Sequence, residues 1–293
     1  MNNIISIIVP VYNTGNLLPR CLNSISNQTY KDIEIIVIDD GSTDNSKDII
    51  KSFAIKDSRI KYYCQNNKGV GAARNKGIEL STGSYITFVD SDDYVHKDYC
   101  SVLFGLIKDS DIAIAGRAKY IDELFIKNKC PNKIEITTGC QAIKYLMLGT
   151  YSSRPAWGKL YTKDIISDIT FEEHHIFEEI RFGVDTFSKA KKVIFSDKVL
   201  YYYMIRSGSI MTSNFDLQID DLANSFDYIV NVLRNAGLYY ECESEIKKWL
   251  IRIILRNARI YTKHNVDDMH YKKNLSRLLT TIDDLGGIQE LYE

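Results

Sequence analysis

The apolar positions of the first hundred residues fall into short unbroken runs separated by stretches with helical spacing. "IISIIV" (residues 4–9) and "IEIIVI" (33–38) are almost continuously apolar, the pattern of strands covered on both faces of a parallel sheet. "IKYYC" (60–64), "SYITFV" (84–89) and "DIAIAG" (111–116) continue the series. Between them, helical patterns run over about 16–28, from a Ser42 or Asp44 cap to about Lys56, and along "GVGAARNKGIEL" (69–80). Strands alternating with helices predict an α/β chain with a Rossmann-like, mostly parallel sheet flanked by helices. In such sheets ligands bind at the carboxyl ends of the strands.

From about 120 to 213 the pattern loosens, with a hairpin, a helix near 139–149 and two short strands around 193–203 expected. After Asp216 no strand pattern persists, and three or four helices are expected. The organisation read from these shifts is a main region over 1–213, divided near 116, and a helical region over 214–293.

Composition narrows the partners. The chain is 45% hydrophobic and 26% charged, enough apolar content for a substantial core. Its 37 Lys plus Arg against 38 Asp plus Glu leave no global basic field for a nucleic acid. The six cysteines are scattered without a CxxC pair, which argues against a zinc knuckle or a disulfide framework and for a reducing cytoplasm. The run from Ile4 to Val9 is too short for a signal peptide or a membrane span.

Acidic clusters end two of the expected strands: Asp39–Asp40–Gly41 and Asp90–Ser91–Asp92–Asp93. In an extended segment Asp90 and Asp92 share a face and Asp93 turns aside. Carboxylates crowded at a strand end repel unless a cation or donor groups relieve them, and oxygen-only ligands suit Mg²⁺ or Mn²⁺ shared with a phosphate. A capped polar turn is the plain alternative for either cluster. "GVGAARNKG" opens like a dinucleotide fingerprint, but Arg74 stands where a third glycine belongs. A small-residue helix packed closely on the sheet accounts for it equally well.

"VPVYN", "DDGSTD", "GVGAARNKGI" and "FVDSDD", in this order and spacing, resemble the motifs of family-2 glycosyltransferases of the GT-A fold. "WGKLY" (157–161), "FEEIRF" (177–182) and "YYYMIRSGSIMTS" (201–213) resemble the family's acceptor-side and closing segments. The resemblance covers roughly residues 4–213. It makes 1–116 the nucleotide-binding half, 117–213 the acceptor half, and 214–293 a helical annex.

The resemblance implies a UDP-sugar donor over the first strands. Tyr12 would stack on the base and Asp40 would accept a hydrogen bond from it. Asp90 would lie near the ribose, and Asp92 would hold Mn²⁺ or Mg²⁺ between the phosphates. Arg74 would sit near the donor sugar or phosphates, with Arg206 and Ser209 in a segment that closes over them. Trp157 and Tyr161 would form an acceptor platform, although both also fit a core. The family's general base is commonly the second acid of a Glu-Asp pair opening a helix. Here Glu178 and Glu179 occupy those positions, so Glu179, one methylene longer than the usual Asp, is the expected base. His174 and His175 precede this pair without an HExxH or HxxEH pattern, so they are not expected to ligate zinc.

In "KKWLIRIILRNARIYTK" (247–263), Lys248, Arg252, Arg256, Arg259 and Lys263 share a helical face. Such a stripe suits anionic lipid headgroups, a solvated helix face, or another subunit of a homo-oligomer. The expected activity is metal-dependent, inverting transfer of a hexose-type sugar from a UDP-sugar to a glycan or lipid-linked glycan hydroxyl. The expected setting is surface-polysaccharide synthesis in the cytoplasm, at the inner face of the plasma membrane if the stripe binds lipid. The alternative is a non-catalytic sugar-nucleotide or glycan-binding module on the same fold.

Overall fold

The structure, a computed structural model, describes residues 2–121, 124–151, 153–172, 178–205 and 216–264, with residues 273, 276 and 280 beyond them. Its elements, in order, are β1 (Ile5–Val11), α1 (Leu18–Ser26), β2 (Ile33–Asp39), α2 (Ser46–Lys56), β3 (Ile60–Cys64), α3 (Val70–Leu80) and β4 (Tyr85–Phe88). Then come β5 (Tyr94–Val95), α4 (Tyr99–Ile107), β6 (Ile112–Ile121), β7 (Leu124–Lys129), β8 (Glu135–Thr137) and α5 (Gly139–Leu148). β9 (Lys159–Thr162), α6 (Lys163–Ile166), α7 (Glu178–Lys189), β10 (Val193–Met204), α8 (Asp216–Asn235) and α9 (Tyr239–His264) complete the chain.

Every residue of β1 and β2 is buried, as their unbroken apolar runs require. Helix α1 buries Leu18, Cys21, Leu22 and Ile25, a stripe at helical spacing, in the same hydrophobic core. Strands β3-β2-β1-β4 are parallel, and the full path continues β9-β6-β10-β5. β9 runs antiparallel between β4 and β6, so residues 159–162 lie in the middle of the sheet. β6 and β10 pair in parallel. The register sets Val11 beside Asp39 and Ile8 beside Phe88. The tails of β1, β2 and β4, with Tyr12, Asp40 and Asp90, therefore open on one edge.

Helix α5 follows its sequence signals: Thr138 Oγ1 accepts from Gln141 N, and Gly149 ends the helix at φ +69°. Two expectations are corrected. The two short strands expected around 193–203 are one strand, β10, whose register shifts between Phe195 and Val199. Exposed Asp197 and Lys198 bulge out there instead of ending the strand. Gly116 makes room for the bulge, since a Cβ on it would sit 2.7 Å from the Lys198 carbonyl oxygen. The Asp90–Asp93 segment is also not extended: Asp93 N–H donates to Asp90 O at 3.0 Å, closing a turn.

Helices α8 and α9 pack onto the main region. Arg181 Nε of α7 donates to Ser225 Oγ at 3.0 Å, and Tyr228 donates to Asp185 Oδ2 at 2.8 Å. In the basic stripe, Lys248 and Arg252 are exposed, and Arg252 Nη1 donates to Leu148 O at 3.0 Å. The side chains of Arg256, Arg259 and Lys263 lie outside the description. No helix among the described residues is long and apolar enough to cross a membrane.

Candidate active site

The crevice at the strand ends is stitched by side chains that bridge the loops. Asn13 Oδ1 accepts from Thr43 N at 2.8 Å, and Asn13 N donates to Ser42 Oγ at 3.1 Å. Asp39 Oδ1 accepts from Ser42 N at 2.9 Å. Beside this frame Tyr12, directly after β1, is 46% exposed. Asp40 is buried and accepts from Gln65 Nε2 (2.8 Å), Lys68 N (2.9 Å) and Gly69 N (2.8 Å). A carboxylate offers about four acceptor sites. Three of these are taken by the loop that leads into α3, which leaves one.

In the next acidic turn, ligand oxygens of Asp90, Asp92 and Asp93 lie within 4.8 Å of one another. Asp93 is fully buried, with Oδ2 accepting from Tyr201 Oη at 2.7 Å and Oδ1 from Met204 N at 2.8 Å. Burial, then the charges of Asp90 and Asp92, push its carboxyl well above the usual range against those two donors. Asp90 and Asp92 are less buried. An all-oxygen donor set under mutual repulsion fits a hard divalent cation.

Arg74 connects this turn to the glutamates. Its Nη2 lies 3.1 Å from Asp90 Oδ1 and 3.1 Å from Glu179 Oε1, and its Nη1 lies 3.5 Å from Glu178 Oε1. The guanidinium side chain is only 2% exposed and stands over the Phe171 ring at 5.3 Å. Helix α3 brings it there by close packing. Asn75 Nδ2 donates to Phe171 O at 2.8 Å while Asn75 Oδ1 accepts from Phe171 N at 2.7 Å. A Cβ on Gly71 would approach Glu172 O to 2.9 Å, so the small residues of α3 serve the close approach. The chain just before α7 is thus clamped to α3, and the start of α7 meets Arg74.

Glu178 and Glu179 open α7, where the helix dipole favours negative charge. Burial, then the neighbouring Glu179, raises the Glu178 carboxyl, and Arg74 opposes. Burial also raises Glu179, while Arg74, Lys159 and the Ala156 backbone N–H favour its charged form and Asp90 opposes them. Glu179 keeps 29% of its side chain accessible, against 11% for Glu178.

Trp157 and Tyr161 are corrected as a platform. Trp157 is buried, stacked on Tyr201 at 4.2 Å and Tyr203 at 5.5 Å, and Tyr161 is buried with its hydroxyl donating to Ala156 O at 3.0 Å. The Trp157 ring is covered by its stack on β10, and Tyr161 is buried because β9 is central in the sheet. Arg206, Ser209, His174 and His175 lie outside the described residues. Two residues escaped the sequence reading. Arg117 of β6 stands over Trp157 at 5.3 Å, and burial, the largest influence, lowers its pKa against Glu179 and Asp93. Lys159 is buried, with Nζ donating to Pro155 O. The signal was present: Lys159 lies two residues from each of Trp157 and Tyr161, in a segment of strand period.

The family model for glycosyl transferase family 2 matches residues 6–170. Glycosyltransferase GlyG of Streptococcus pneumoniae serotype 4 is 36% identical over 254 residues, covering 81% of this chain and 83% of that protein. Glycosyltransferase GlyA of the same strain is 33% identical over 267 residues, or 87% of this chain, and the match spans 38% of GlyA. Among solved structures, residues 1–349 of S. aureus TarS in complex with UDP-GlcNAc align with a TM-score of 0.77 at 22% identity, covering 96% of this chain and 81% of that one. At that identity the likeness speaks for the fold. The chain belongs to glycosyl transferase family 2 and has the GT-A fold.

Proposed function

We propose that this glycosyltransferase moves a hexose-type sugar from a UDP-sugar to a hydroxyl of a glycan, with inversion at the anomeric carbon. The supporting observation is the Arg74 bridge, 3.1 Å to Asp90 on the donor side and 3.1 Å to Glu179, which keeps a partly accessible carboxylate beside the donor crevice. Tyr12 stacks on the uracil, and Asp40 accepts from its N–H through its remaining acceptor site. Asp90 faces the ribose. Arg206 and Ser209 are assigned to the segment that closes over the phosphates, on sequence alone.

In this reading the acceptor oxygen attacks the anomeric carbon as Glu179 takes its proton. The bond from that carbon to the diphosphate oxygen breaks, and its electron pair leaves with UDP. Mn²⁺ or Mg²⁺ on Asp92 would neutralise charge on the departing diphosphate. A single displacement from the face opposite the leaving group inverts configuration. Glu179, not Glu178, is taken as the base because its side chain is the more accessible, 29% against 11%.

A UDP donor and a polysaccharide acceptor are supported by similar proteins: TarS solved with UDP-GlcNAc, and a poly(ribitol-phosphate) beta-glucosyltransferase of Bacillus spizizenii 33% identical over 222 residues. The catalytic region is assigned to 1–213 and the annex to 214–293. The stripe at 247–263 is assigned to anionic lipid at the inner face of the plasma membrane.

A panel of UDP-sugars with Mn²⁺ tests the reading. UDP release from one sugar, faster with a glycan acceptor present, is the expected result. UDP binding without release from any donor favours the binding-module alternative.

A further inference from the structure

Both ends of the acidic turn after β4 are tied to one hydroxyl of β10. Asp90 N donates to Tyr201 Oη at 3.2 Å, and Tyr201 Oη donates its own proton to Asp93 Oδ2 at 2.7 Å. Asp93 N in turn donates to Asp90 O at 3.0 Å, so residues 90–93 and Tyr201 close a hydrogen-bonded ring. The other Asp93 oxygen, Oδ1, accepts from Met204 N at 2.8 Å, at the end of the same strand. A phenol that donates to a carboxylate becomes a better acceptor, which strengthens the Asp90 contact. The Tyr201 ring is fixed in place: it is buried, stacked on Trp157 at 4.2 Å and edge-on to Tyr99 at 6.4 Å. From the loop after β1 and from α1, Thr14 Oγ1 donates to Ser91 Oγ at 3.0 Å and Arg20 Nη2 to Asp92 O at 3.3 Å.

We propose that Tyr201 and Asp93 are positioning residues for the cation-binding turn: Tyr201 holds the Asp90 N–H, and Asp93 anchors Tyr201 instead of serving as a third ligand of the cation. The role rests on the reading of Asp92 as the residue that holds the cation. Burial separates the three carboxylates. Asp93 is 0% exposed, whereas Asp90 and Asp92 are only partly buried. Mg²⁺ and Mn²⁺ take most of their ligands from water and phosphate oxygens, so a carboxylate that holds one has to open on the crevice. Asp93 is closed off from it and commits an acceptor site on each oxygen to β10. The strut also gives Trp157 a part in the site. Its stack fixes the ring whose hydroxyl fixes the turn.

The test is the Mn²⁺ concentration that half-saturates UDP binding to the full chain, measured for Tyr201→Phe, Asp93→Asn and the double variant. Tyr201→Phe removes the hydroxyl and keeps the ring stacks. It is expected to raise that concentration about 3–10-fold, the scale of one net hydrogen bond. An unmoved Mn²⁺ requirement, even with a lowered melting temperature, makes the hydroxyl merely structural and overturns the proposal. Asp93→Asn should have an effect of similar size, and the double variant should be no worse than the larger single one, because both act through one strut. An Asp93→Asn effect far beyond that of Tyr201→Phe, and multiplied by it in the double variant, makes Asp93 a ligand and overturns the proposal. If Asp93→Asn does not fold, Tyr201→Phe decides alone. If UDP binding by the wild type shows no Mn²⁺ dependence, the cation reading of Asp92 falls, and amide hydrogen exchange across residues 88–95 without metal decides the strut. Faster exchange there in Tyr201→Phe supports it, and wild-type exchange overturns it.

Discussion

Arg74 and Glu179, 105 residues apart in sequence, meet at 3.1 Å through Nη2 and Oε1. The same Nη2 is 3.1 Å from Asp90. One buried guanidinium thus balances the acidic turn and the glutamate pair together, and the donor side and the base side share a single counter-charge. Carboxylates gathered in a low-dielectric crevice would otherwise repel one another strongly.

Arg74→Met should therefore cost stability as well as activity. Removing one partner of a buried ionic cluster costs about 3–5 kcal/mol, read as a fall in the urea midpoint at pH 7. The deficit should shrink as pH falls. Without Arg74 the Glu178 and Glu179 carboxyls, already raised by burial, rise further above their unfolded values, and protonating them removes their repulsion. A deficit independent of pH between 8 and 5, on the order of these limits, would show that Arg74 stabilises by packing alone.

Glu179→Gln should leave UDP binding intact and lower transfer by about 10²–10⁴-fold, the usual contribution of a general base. Glu178→Gln, which removes the less accessible carboxyl, should have the smaller effect. In the wild type, burial raises the Glu179 carboxyl above its ordinary value of 4.5. Transfer should accordingly fall as pH drops through that raised value. Initial rates across pH for the two variants decide between the glutamates, and near-normal turnover by Glu179→Gln reassigns the base.

Asp92→Ala should abolish the Mn²⁺ dependence of UDP binding. Calorimetric titration of UDP with and without Mn²⁺ measures it directly. Unchanged Mn²⁺-dependent affinity removes Asp92 from the cation site.

Far from the crevice, Glu34 ties the start of β2 to the loop before β4. It accepts from Ser6 Oγ at 2.6 Å and Thr82 N at 2.6 Å, and pairs with Lys61 Nζ at 2.6 Å. Burial alone would raise its carboxyl, but Lys61, Ser6 and Thr82 outweigh that and hold it at about 2. The folded value lies below the ordinary 4.5, so its stabilisation is complete above about 4.5 and lost as pH falls towards 2. Glu34→Gln should cost about 1–3 kcal/mol at neutral pH and flatten the acid-side slope of stability, with no change in UDP affinity. Thermal melts from pH 7 to pH 3, a span of the order over which such carboxylates titrate, check it.

Much of the frame was legible in the chain. The apolar runs at 4–9 and 33–38 could be read as buried strands because burial on both faces leaves no polar alternation. The helix near 139–149 and the acidic ends of β2 and β4 are also local properties. The position of the glutamates at 178 and 179 at a helix start follows from the family resemblance, not from a local signal. The burial of Trp157 and Tyr161 could not be read, since a strand-period segment looks alike whether it lies at an edge or in the middle of a sheet.

Sequence by itself determined the alternating strands and helices and the acidic strand ends, because hydrophobic period and turn chemistry act within a few residues. The four motifs in their order pointed to the family. Tertiary structure alone decided that β9 enters antiparallel between β4 and β6, burying Lys159 and Tyr161, and that Trp157 stacks on Tyr201 of β10. It alone brought Arg74 to Asp90, Glu178 and Glu179, and folded Asp93 inward onto Tyr201. Those contacts join residues up to 108 positions apart. They depend on the order of strands across the sheet, which no local period encodes.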